Sequence, residues 1–125
     1  EGEYEDGIEE RWENVEELQK EQDLSDEQMV QLMKDVVVVL DLRDLLWQKE
    51  EIEALVFLNE RFNLMDRAVA DLKLTMDKLK AQTLMTDEDK DQLRWYAAFM
   101  FALPVKKTKE QMTMMGEIYD LVEGT

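Results

Sequence analysis

The chain has 125 residues, no Cys, no His and a formal net charge of −16, with 45% hydrophobic and 37% charged residues. That length and apolar fraction suit one folded domain over residues 1–125, stabilised by a hydrophobic core without disulfides or a structural metal. Lacking Cys and His, the chain has no thiol nucleophile, no thiolate zinc site and not the commonest general base near neutral pH.

The charge is unevenly spread. Residues 1–27 hold thirteen acids against Arg11 and Lys20, a net of −11, while the rest holds eighteen acids against thirteen bases, a net of −5. Such a field disfavours nucleic-acid phosphates and anionic lipid as direct partners and favours a protein with a basic surface. No apolar run approaches the roughly 18 residues of a membrane span, and the acidic start is the wrong charge for a signal peptide. A soluble, cytoplasmic protein is the expectation. The chain opens on Glu and not Met, as one trimmed from a longer chain does.

One Pro and four Gly leave strands and hairpins little to turn on. Apolar residues recur three and four apart, which predicts an all-α bundle of about five helices. The first runs from about Glu5 to Gln22, with Ile8, Trp12, Val15 and Leu18 as a narrow apolar stripe and Glu over most of the remaining surface. Residues 1–24 form an acidic N-terminal arm and first helix. The functional reading is a docking face in which Trp12 and Tyr4 are aromatic anchors among Glu9, Glu13, Glu16 and Glu17, whose charge speeds encounter with a basic partner. The structural reading is a peripheral helix whose stripe completes the bundle and whose acids keep it soluble. Packing of the stripe is expected under both.

The stretch Glu9-Glu10-Arg11-Trp12-Glu13-Asn14-Val15-Glu16-Glu17-Leu18 resembles a short helical segment of UvrD-type helicases, and the first helix is similar to the Trp-bearing helices of spectrin repeats. Neither likeness extends beyond that stretch. A Walker A loop is absent, and so is a three-helix repeat, so no family is assigned.

Ser25 with Gln28 predicts a capping box opening a second helix, Asp26 to about Trp47, whose apolar residues run around most of its circumference through Val36–Leu40, Leu42, Leu45 and Leu46. Four successive Val favour strand locally, but one short strand without a partner makes no sheet. A third helix begins near Lys49, continuous with the second or after a kink at residues 48–50, and reaches about Ala81. Leu55, Leu58, Phe62, Met65, Val69, Leu72, Met76 and Leu79 give it an unbroken heptad seam, predicting a spine of about 40 Å and a route to homo-oligomers through residues 55–79.

Residues 83–86 form a connection, and Thr86 followed by Asp87, Glu88 and Asp89 caps a fourth helix that Pro104 stops. Its second half, Trp95 to Leu103, is apolar on every face and must be covered by the core or by a partner. Thr108 with Gln111 opens a fifth helix striped by Met112, Met115, Ile118 or Tyr119, and Val122, ending before Gly124. Met114 falls off that stripe, is expected to be exposed, and is counted with the partner-binding residues; the other Met read mainly as core filler. Exposure of Trp47, Trp95 and Phe101 would mark a surface covered by another chain.

Asp87, Asp89 and Asp91 alternate as in a calcium loop, but Gln92 and Ala98 occupy the places of the required Gly and Glu, and a capped helix start explains the acids. Carboxylate-bridged metal sites in bundles use Glu-x-x-His pairs, which a chain without His cannot supply. No catalytic, metal or cofactor residues are assigned. The function expected is a non-enzymatic protein interaction module or adaptor, binding through the acidic, aromatic-studded face or a groove beside the last two helices. A nucleic-acid mimic of the phage or mobile-element kind, inhibiting a DNA- or RNA-binding protein, is the alternative, and an enzyme working with carboxylates alone is the remote third reading.

Overall fold

Four helix starts are written into side chains that satisfy the backbone amides a helix leaves open. Ser25 Oγ accepts from the Gln28 amide (3.1 Å) and Gln28 Oε1 from the Ser25 amide (2.9 Å). Thr86 and Asp89 exchange the same pair of bonds at 3.2 and 3.0 Å, and Thr108 and Gln111 at 3.1 and 2.9 Å. At the fourth start, Glu51 Oε1 accepts from the Gln48 amide (2.9 Å).

The computed structural model describes residues 2–82 and 84–123, with side chains from Gly7 onward. Among these residues there are six helices and no strand: α1 (Gly2–Glu17), α2 (Asp26–Leu42), α3 (Lys49–Phe62), α4 (Leu64–Lys80), α5 (Asp87–Ala102) and α6 (Lys109–Glu123), with a 3₁₀ turn at Leu18–Lys20. Thr83, in the expected connection, and Gly124, the expected stop, lie outside the described residues.

The helices pack against one another around a shared core. Helix α2 has α1 on one side and α5 on another, α5 also packs on α4 and α6, and α3 meets α4 and the 3₁₀ turn. Fully buried Val36 and Val39 explain how a Val-rich helix is tolerated there, since their burial outweighs a weak local preference for strand. Arg61 donates to the Glu21 carbonyl through Nε (3.0 Å) and Nη2 (2.7 Å), and Arg67 Nη2 donates to that of Leu24 (3.1 Å), tying the α3–α4 corner to the α1–α2 connection.

The single spine helix expected over residues 49–81 is broken. Asn63 takes the left-handed conformation (φ 53°) and separates α3 from α4. Asn tolerates that region better than most residues with a Cβ, and Asn59 Oδ1 accepts from the Met65 amide (2.9 Å), satisfying one of the amides the break exposes. Leu64 and Ala68, both off the heptad seam, are fully buried, while Val69 of the seam is half-buried. The other seam residues, Leu55 to Leu79, lie in this chain's own core.

The second expected helix also stops early, at Leu42. Asp44 (φ 55°) and Leu45 (φ 66°) are left-handed, and Leu45 and Leu46 stand 60% and 71% exposed on the turn that follows. Trp47 closes this turn by donating from Nε1 to the Ala102 carbonyl at the end of α5 (2.6 Å). Beyond Pro104, the Lys107 ammonium donates to the Phe101 (3.3 Å) and Leu103 carbonyls, satisfying acceptors where α5 ends; burial pushes its pKa down.

Candidate functional site

Helix α1 turns its apolar stripe inward as expected. Ile8 and Val15 are buried, and Trp12 and Leu18 are half-buried against the core. Trp12 meets Trp47 with ring centroids 6.2 Å apart and planes tilted by 43°, a favourable aromatic arrangement. The indole therefore contributes to holding α1 in place and presents only part of its surface outside. Tyr4 falls within α1, but its side chain lies outside the described residues.

Glu9, Glu13, Glu16 and Glu17 all face solvent. Glu9, Glu13 and Glu17 follow at intervals of four along one edge of α1, with Glu16 beside them. Like charges at such spacing disfavour a helix by a few tenths of a kcal/mol per pair. Glu16 and Glu17 also end α1, whose last turn holds no base, so they face the negative pole of its dipole. Lys20, on the 3₁₀ turn that continues α1, stands with Glu13, Glu16 and Glu17 and offsets part of this cost; the remainder opposes the stability of the helix that carries them.

One anchor holds α1 to α2 from beneath. Arg11 Nη1 donates to Asp35 Oδ1 (3.1 Å), which also accepts from Gln31 Nε2 (3.0 Å); Asp35 is only 2% exposed. A comparable pair braces the α2–α3 turn, where Arg43 Nη2 lies 3.1 Å from Oε2 of the buried Glu51. Sequence reasoning missed both: Asp35, between Leu32 and Val36 on the apolar phase of α2, was the available signal, and neither Arg partner was legible.

Met114 corrects an expectation. It is buried at 7% exposure, while Met112, placed on the stripe, is 62% exposed. The phase of α6 is set by Ile118 and Val122, and Met114 stands four residues before Ile118 on the same face. It is therefore a core residue without an accessible partner surface. Trp47 and Trp95 are half-buried, and Phe101 is 57% exposed.

A cleft of about 310 Å³ opens between α2 and α5. Val30, Met33 and Lys34 line it from α2. From α5 come Glu88, Asp91 and Gln92 near the helix start, then Trp95 and Tyr96. Burial, reinforced by the charge of Asp71, pushes the Tyr96 phenol above its ordinary pKa, and hydrogen bonds with Thr75 and Gln92 partly offset this. The cleft was not foreseen: the expected groove lay beside the last two helices, and the α2–α5 pairing that forms this one is a tertiary fact.

No family model, curated protein or solved structure matches this chain. Among the described residues, no three or more Asp and Glu side chains are grouped so that they could hold a metal ion. No described helix is long and apolar enough to cross a membrane.

Proposed function

We propose that this chain is a non-enzymatic interaction module that binds a protein with a basic surface, using the carboxylate edge of α1 as its docking face. One observation carries the reading: Glu13, Glu16 and Glu17 are exposed where they weaken their own helix. Residues that break a local rule without a structural return are candidates for function. Solubility alone is a weak explanation, because residues 28–125 already carry a net −5. Opposite charge on a partner would relieve the repulsion on binding and steer encounter.

The Arg11–Asp35 bond and the Trp12–Trp47 contact support the reading by fixing the orientation of α1, so that the carboxylates form a constant pattern. The test is comparative capture from the native host with the wild type and a Glu13→Lys/Glu16→Lys/Glu17→Lys variant. Proteins retained by the wild type alone should be basic and should be released by salt. An identical retained set from both baits would refute the docking face.

A further inference from the structure

The α2–α5 cleft has features that the α1 surface lacks: an apolar side and aromatic walls set beside its carboxylates. Val30, half exposed, and buried Met33 offer an apolar side, Trp95 and Tyr96 offer ring surface, and Glu88 and Asp91 carry exposed carboxylates. Glu88, Asp91 and Trp95 follow at spacings of three and four, which sets carboxylates and indole along one face of α5. Its volume suits one large side chain rather than an extended segment.

We propose that this cleft receives an arginine side chain of the basic protein partner. The inference rests on the function proposed above and specifies how the partner is recognised. A guanidinium fits each wall: it stacks on the faces of Trp and Tyr, pairs in plane with carboxylates, and trails methylenes that cover apolar surface. Asp91 already takes a guanidinium from outside the cleft, the Nη1 of Arg94 lying 3.0 Å from its Oδ1 on the exposed surface. An incoming guanidinium exchanges one weak exposed pair for a contact that also gains the aromatic walls. Lys34 is the one base of the lining, and its long exposed stem lets the ammonium turn outward, away from an incoming guanidinium. A lysine fits less well, since its compact, strongly hydrated ammonium neither stacks as a plane nor pairs as a fork.

The test uses the full chain and three blocked peptides of equal length, alternating Gly with Arg, Lys or citrulline. The indole N–H resonance of Trp95, assigned by its loss in Trp95→Phe, reports the cleft, while calorimetry reports total binding. The Arg peptide should shift the Trp95 resonance saturably, the Lys peptide should need at least threefold more for the same shift, and citrulline should leave it in place. Glu88→Gln with Asp91→Asn should weaken the Arg-driven shift at least fivefold, whereas Glu13→Lys/Glu16→Lys/Glu17→Lys, which weakens total binding, should still permit the full shift at higher peptide concentration. An equal shift with citrulline overturns the proposal. So does calorimetric binding that leaves the Trp95 resonance unmoved; if that binding is lost on α1 reversal, the basic-partner reading survives alone. Absence of any binding to the Arg and Lys peptides removes both.

Discussion

Arg11 of α1 and Asp35 of α2 meet at 3.1 Å, joining one of only two bases among the first 27 residues to a carboxylate that is 2% exposed. A buried carboxylate deprived of its cation is costly, whereas a pair replaced together by apolar groups is often neutral. Arg11→Met should therefore destabilise the fold by about 1.5–3 kcal/mol, and Asp35→Leu added to it should restore part of that loss. Urea unfolding of the two variants checks this. Equal stability of wild type and Arg11→Met would show that the pair is incidental.

The chain break at Asn63 makes a backbone forecast. At φ 53° a Cβ-bearing residue with no local hydrogen-bonding side chain is strained by about 1–2 kcal/mol. Asn63→Ala should lower the unfolding midpoint accordingly, and Asn63→Gly should leave it nearly unchanged. A midpoint raised by Ala would mean that α3 and α4 run on as one helix.

Removing the Trp47 Nε1–H with Trp47→Phe leaves the Ala102 carbonyl without this donor and changes the packing against Trp12. A loss of about 1–3 kcal/mol is expected from the hydrogen bond and aromatic contact together. Thermal unfolding followed by circular dichroism measures it.

Tyr96 should ionise later than an ordinary phenol. Its folded pKa lies above the unfolded value of 10.0, so the native state holds its proton longer and stability falls as pH rises above 10.0 through the folded value. Ultraviolet titration of the wild type minus Tyr96→Phe should show a phenol with a midpoint above 10.0. A difference curve centred below that value would contradict the burial of the ring against α4.

Helix starts were legible because Ser25, Thr86 and Thr108 satisfy local amides, and such bonds depend on residues three apart. The inward stripe of α1 was legible for the same reason of local period. The break at Asn63 was not, since the apolar spacing runs through it undisturbed and the left-handed residue alters direction without altering pattern. Met114 was misplaced because Met112 and Met115 offered an equally regular stripe, and only packing against the core chose the phase set by Ile118. The Arg11–Asp35 bond and the α2–α5 cleft join positions far apart in sequence, where periodicity says nothing.

The docking face makes its sharpest commitment about where charge matters. The decisive experiment is calorimetric titration of the full chain with a basic Gly-Arg peptide, comparing two variants of identical net charge: Glu13→Lys/Glu16→Lys/Glu17→Lys on α1, and Glu53→Lys/Glu60→Lys/Asp77→Lys on exposed positions of α3 and α4. The expected result is at least tenfold weaker binding by the α1 variant, with its fold no less stable than wild type, and no more than a threefold loss for the other. Equal losses from both would show that bulk charge alone attracts the peptide and that α1 is not a docking face.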